Sequence, residues 1–207
     1  MTQVAEQLRL LKDFLKTDFR KTVRWSAVLM LLLTAASFVL GLVSSQAVET
    51  ALGYFEQIAE QSGVLDAEGK MLLFPLLANN WRAMITIVLY GLFPFLYLSI
   101  FPLALNSAIL GVLGGYYQSS GLTLGLYLAG VLPHGVFELP ALVLSAACGI
   151  YLCRHISFWF IHYEKRIPVP KLLESLLRVM LFLVLPMSAA AAVIEVYVTP
   201  AIMGLLM

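Results

Sequence analysis

Apolar residues dominate long stretches of this chain, and the polar positions between them divide it into elements. Residues 1–24 form an amphipathic stretch: Val4, Leu8, Leu11, Leu15 and Phe19 recur at three- or four-residue spacing, with Lys12, Lys16 and Arg20 on another face. Such a stripe predicts a helix lying on the inner leaflet, held by apolar burial and anionic lipid. A docking helix for a cytoplasmic partner uses the same stripe.

The apolar run 25–43 follows, long enough to cross roughly 30 Å of hydrocarbon as a helix. Residues 44–78 read as an outside segment with five acids, Glu49, Glu56, Glu60, Asp66 and Glu68. Within it Ala51, Leu52, Phe55, Ile58 and Ala59 predict a surface helix ending near Ser62-Gly63. A second span is expected over about 80–101 and, after Pro102, a third over about 103–117. The third carries Gly111, Gly114 and Gly115, which let neighbouring helices approach closely.

The run 122–153 would be about 48 Å long as a helix, more than one straight crossing needs. Pro133-His134-Gly135 therefore predicts a break, with a half-helix over 122–132 and a fuller helix after it. One long kinked helix is the alternative. A last span is expected over about 177–196, with Pro186 inside and Thr199-Pro200 beyond its end. The fold class is all-α: a polytopic membrane helix bundle of about five transmembrane helices plus a Pro-His-Gly-interrupted half-helix. It divides into a cytoplasmic amphipathic helix, 1–24, and a single bundle, 25–207.

Composition agrees with the pattern. Of the 207 residues 61% are hydrophobic and 12% charged, where soluble domains carry roughly 25% charged. The net charge of +1 says little, but its distribution sets an orientation. Six of the 13 basic residues precede Trp25, five more lie from Arg154 to Arg178, and the other two are Lys70 and Arg82. The positive-inside rule makes both clusters cytoplasmic and leaves 44–78 outside. The N-terminus and segment 154–176 are then cytoplasmic, and the C-terminus outside. Cys148 and Cys153 read as small packing residues.

Candidate chemistry is confined to a few polar positions in apolar surroundings. Asn79 and Asn80 can cap the second span, Arg82 can snorkel to headgroups, Asn106 can bond across a helix pair, and Glu195 sits within a turn of the outer surface. His134 and Glu138 are harder to absorb as structure. Four residues apart between Pro133 and Pro140, they share one helical face and can pair or converge on a third group. A locked His–Glu–Asn network and a pocket that binds or passes a small ligand or proton both fit. With His155 and His162 at the other end of the span, His134 and Glu138 are too few ligands for a metal. No nucleophile, catalytic residue, cofactor motif or nucleic-acid patch is expected.

Several of these residues also carry a resemblance. Asn79-Asn80-x-Arg82, Asn106 with Gly111, Pro133-His134-Gly135-x-x-Glu138-Leu139-Pro140-Ala141 and Glu195-x-Tyr197-Val198-Thr199-Pro200 occur in this order. The arrangement resembles the stage II sporulation protein M family of bacterial and archaeal integral membrane proteins, with Asn106-Ser107 where many relatives show Asn-Gly. The resemblance implies a non-enzymatic component of a cell-envelope complex. Its sporulation member works with stage II sporulation proteins D and P in septal peptidoglycan remodelling and engulfment. The partners it implies are membrane lipids and other envelope proteins, with homo-oligomerisation open. A transporter or channel subunit using the His134/Glu138 pocket is the alternative.

Overall fold

The computed structural model describes residues 3–66, 68–161 and 168–206; the side chains of residues 55, 56, 59 and 60 lie outside the description. Five positions named above, Phe55, Glu56, Ala59, Glu60 and His162, therefore have no side-chain account. The described residues are all-helical, apart from an isolated bridge between Leu65 and Met71. In order come α1 (Gln3–Leu15), α2 (Phe19–Val43), α3 (Ser45–Ser62), α4 (Leu73–Leu89), α5 (Ile100–Ser119), α6 (Leu124–Ile161), α7 (Val169–Val179), α8 (Leu185–Val193) and α9 (Thr199–Gly204).

Four helical stretches are long and apolar enough to cross a membrane: Phe19–Val43, Ile100–Ser119, Leu124–Ile161 and the run Val169–Gly204. The protein is thus a multi-pass membrane protein. The second span expected over about 80–101 is not one helix: α4 covers Leu73–Leu89, 17 residues and at the short end of what crosses hydrocarbon, and helical geometry lapses after Leu92 until Ile100.

The amphipathic N-terminal helix is shorter than its stripe. It stops at Leu15, and the first long helix already begins at Phe19. Thr17 causes the break: its hydroxyl donates to the Phe14 carbonyl at 2.7 Å and accepts from the Phe19 amide at 3.3 Å. The turn aims Phe14 and Phe19 at Tyr151, ring centroids 4.8–5.7 Å apart. Leu11 is buried, Phe14 and Leu15 pack on the same core, and Arg178 of α7 donates to Gln7 at 2.6 Å. Much of the stripe is thus covered from within the chain, leaving Val4 and Leu8 exposed.

Helices α2 and α5 form the tightest seam. A methyl group on Gly111 would collide with the Thr34 carbonyl, one on Gly115 with the Phe38 carbonyl, and one on Gly41 with the Val112 carbonyl. Ser107, Gly111 and Gly115 recur every four residues, as do Ser37 and Gly41, so each helix turns a small-residue stripe to the other. Backbones approach and dispersion replaces lipid contact.

The expected break at Pro133 is not there. Helix α6 runs unbroken for 38 residues, about 57 Å, with Pro133 and Pro140 inside it. Proline's φ suits a helix, and the loss is one ladder bond, which packing on both sides of the site offsets. Its excess length over the bilayer extends the helix beyond the hydrocarbon rather than dividing it. From Ala141 to Cys153 it is almost wholly buried, the axis of the bundle.

Between α4 and α5 the chain leaves helical geometry. A single 3₁₀ turn, Tyr90–Leu92, leads into an irregular segment in which Phe95 and Tyr97 take left-handed φ of 67° and 48°. Side chains of α6 fasten it: Ser157 accepts from the Phe95 amide at 2.7 Å, and the Cys153 thiol donates to the Phe93 carbonyl at 3.2 Å. The buried Ser99 hydroxyl donates to the Ile87 carbonyl at 2.7 Å.

The last helical run carries two π turns, Met180–Val184 and Ile194–Val198. In the first the Leu185 amide reaches the Met180 carbonyl; in the second the Thr199 amide reaches the Ile194 carbonyl. Each donor directly precedes a proline, Pro186 or Pro200. A proline has no amide to donate and its ring crowds the carbonyl four residues back, so the ladder widens just before it. Thr199-Pro200 thus continues the last helix rather than lying beyond it.

Candidate functional site

Helix α6 and the last helical run are joined by a short connection, so they run back antiparallel. Positions equidistant from that connection face each other: Glu138 meets Glu195, and His134 meets Thr199. Ligand atoms of His134, Glu138 and Glu195 all lie within 4.8 Å of one another. His134 Nε2 is 3.9 Å from Glu138 Oε2, the i,i+4 pair expected from the spacing. The other ring nitrogen, Nδ1, is 3.3 Å from the Thr199 hydroxyl. The two ring nitrogens are thereby distinguished: Nε2 turned to Glu138, Nδ1 to a hydroxyl.

The cluster is half-buried. His134 is 15% exposed and Glu138 31%, so both are withdrawn from the outside of the bundle but neither is sealed in. Pro133 and Val136 line an apolar groove with Gly125, Leu132, Phe137 and Ile202, one helical face round from His134 and Glu138. Pro140 is exposed, whereas Gly135 is buried with the Val131 and Leu139 side chains against it. These two prolines and the glycine shape the helix around the site without breaking it.

The remaining polar residues do not join the cluster. Because α4 starts at Leu73, Asn79 and Asn80 lie inside the helix and cap nothing. Asn80 is buried, and among the described residues its amide nitrogen has no hydrogen-bond partner. Arg82 is exposed on α4, as a snorkelling side chain would be. Asn106, also exposed, donates to the Pro102 carbonyl of its own helix at 2.9 Å rather than bonding across a helix pair. Among the described residues no hydrogen bond ties any of the four to His134 or Glu138.

Glu195 and Thr199 are the residues that sequence reasoning undervalued. Glu195 reads as wetted near the outer surface, yet it is only partly exposed and completes the group with His134 and Glu138. The signal was available: Glu195 and Thr199 are themselves four apart, repeating on the last helix the spacing of His134 and Glu138. The antiparallel packing of α6 and the last helical run brings the two pairs together. The π turn Ile194–Val198 contains Glu195 and widens the helix at the cluster.

Comparison with known proteins gives this geometry a family context. An uncharacterized protein of Methanocaldococcus jannaschii, MJ0793, is 29% identical over 129 residues, 62% of this chain and 72% of its own length. No solved structure matches. The family described as stage II sporulation protein M matches residues 11–200, a range that takes in the glycine seam, the strapped segment and the whole of the His134–Glu195 hairpin. With that match running through nearly every element of the bundle, the chain belongs to the stage II sporulation protein M family.

Proposed function

We propose that this protein is a non-enzymatic integral membrane component of a cell-envelope complex, acting in septal peptidoglycan remodelling where its organism sporulates. The family match over residues 11–200 supports the reading, since it spans nearly the whole bundle rather than one motif. Its partners are other envelope proteins, with stage II sporulation proteins D and P the counterparts in a sporulating cell, and membrane lipid surrounds the bundle.

The N-terminus is placed in the cytoplasm and the C-terminus outside. Charge supports this through α4. With α4 crossing, both basic clusters, before Trp25 and around Lys165, Arg166 and Lys171, fall on the same inner side. Were α4 to stay on one side, the second cluster would be outside. The acidic helix α3 then faces outward as a partner surface.

The test is site-specific photocrosslinking from exposed positions Glu49 and Gln57 of α3, in living cells. Expected is an adduct with an envelope protein whose deletion reproduces the phenotype of deleting this one. Adducts with lipid alone from every α3 position would overturn the reading.

A second reading, a transporter or channel subunit, is favoured by one observation: Glu195 and Thr199 converge on His134 and Glu138 in an otherwise apolar bundle. Ionisable groups at such a place mark ligand or ion sites in membrane proteins. His134→Ala and Glu138→Gln should then abolish complementation of a deletion strain while the protein still inserts and accumulates. Loss of abundance in both would instead assign the cluster to structure.

A further inference from the structure

We propose that His134, Glu138 and Glu195 form a binding site for one divalent transition-metal cation, of the zinc or manganese kind. The inference rests on the second reading only in that the cluster takes a ligand; it does not require the ion to cross the membrane.

The donor set fits that class of ion. One imidazole nitrogen and two carboxylates are a three-ligand set of the kind that leaves a fourth position for water or another group. Imidazole selects zinc, iron or nickel over calcium, which takes six to eight oxygens, and the carboxylates admit manganese as well. Charge points the same way. When ionised, the two carboxylates bring two negative charges beside a neutral imidazole, and a dication cancels them where uncompensated charge costs several kcal/mol.

The imidazole is held as a metal-binding histidine is held. Nε2 faces Glu138 and Nδ1 lies 3.3 Å from the Thr199 hydroxyl, so an ion at Nε2 leaves the ring proton on Nδ1, where Thr199 is placed to accept it. That hydrogen bond fixes the tautomer and leaves the Nε2 lone pair free for the metal. Around a four-coordinate ion with bonds of about 2.0–2.2 Å, ligand atoms lie about 3.3–3.6 Å apart. The present separations, 3.9 Å for the His134–Glu138 pair and up to 4.8 Å over the group, contract to that by rotation about glutamate side-chain bonds. The ligands come from two helices, so an ion at this point ties α6 to the last helical run beside the π turn. It would lock the hairpin.

The experiment uses the full chain purified into lipid nanodiscs, dialysed against zinc ion alone and then against metal-free buffer, with bound metal measured by mass spectrometry. Expected is one zinc per chain, falling below about a tenth in the triple variant His134→Ala/Glu138→Gln/Glu195→Gln. Thr199→Val, which removes only the group that orients the imidazole, should weaken affinity by about 10–100-fold. Wild-type protein that retains no more zinc than the triple variant overturns the proposal.

X-ray absorption of the wild-type zinc adduct needs no variant and so stands even if the substitutions disturb folding. One imidazole with oxygen neighbours is expected, and an all-oxygen or sulfur-containing shell overturns the site. Zinc bound by an inactive, non-transporting protein leaves this inference standing while removing the transport reading. Transport by a protein that binds no zinc does the reverse.

Discussion

Two seams hold this bundle, and they are built on opposite principles. Between α2 and α5 the residues are small, and helix backbones meet through Gly41, Gly111 and Gly115. Between α6 and the last helical run one stretch is polar, His134 and Glu138 against Glu195 and Thr199, with prolines on both sides and π turns on one. The first seam gains from close approach and has no room for anything else. In the second, backbone regularity is given up to bring two carboxylates and an imidazole together, an arrangement whose cost only a ligand or a precise network offsets. The comparison separates a closely packed scaffold from a polar candidate site within one apolar sequence.

The largest effect expected from breaking that contrast is at Gly111. Gly111→Leu drives a side chain into the Thr34 backbone, and the α2–α5 seam must open; overpacking of this kind costs about 1–3 kcal/mol or more. Membrane fractions probed by immunoblot should hold several-fold less protein than wild type, since a loss of about 1–2 kcal/mol shifts steady-state abundance by that much. In the polar seam, Glu138→Gln combined with Glu195→Gln should have the opposite profile. Accumulation stays within about twofold, because neutral amides keep the shape and remove the facing charges, while complementation of a deletion strain is lost.

A smaller effect is expected at Pro200. Pro200→Ala restores an amide and lets the Ile194–Val198 turn tighten towards α-helical geometry, rotating Glu195 relative to His134. Circular dichroism should show helicity unchanged, while zinc retained per chain declines. The smallest effect is expected at Gly125, which faces open space except for Thr123 Oγ1 3.7 Å from where a Cβ would stand. Gly125→Leu should leave abundance and activity as they are, with a helix-propensity gain of about 0.5–1 kcal/mol. If Gly125→Leu proved as damaging as Gly111→Leu, the tight seam would not be confined to α2 and α5.

The fold class is legible in the chain because apolar runs of spanning length have few alternatives in lipid. The glycines of α5 announce their role through four-residue spacing. Boundaries are less legible. Asn79-Asn80 looks like a cap, yet α4 begins at Leu73, because polar residues at one end of an apolar run do not mark where hydrogen bonding starts. The Pro133 break fails for a related reason: proline forbids an amide bond, not a helix, and packing decides which follows. Half of the site, His134 with Glu138, stands out as an i,i+4 pair. Glu195 stays hidden because its depth depends on the last helix continuing through Thr199-Pro200, which a proline near the chain end argues against. Register across a hairpin is a long-range property, and local pattern does not carry it.

The fastening of the α4–α5 strap has a consequence for chemistry in the test tube. Cys153 donates its thiol to the Phe93 carbonyl, and both it and Cys148 are fully buried. In the closed molecule neither sulfur can meet an alkylating reagent. With Cys148 changed to serine, the speed at which a maleimide labels the intact protein becomes a clock for lifting of the Phe93–Phe95 stretch away from α6. The chain thus carries its own reporter thiol, and no cysteine need be introduced to ask whether that end of the molecule ever opens.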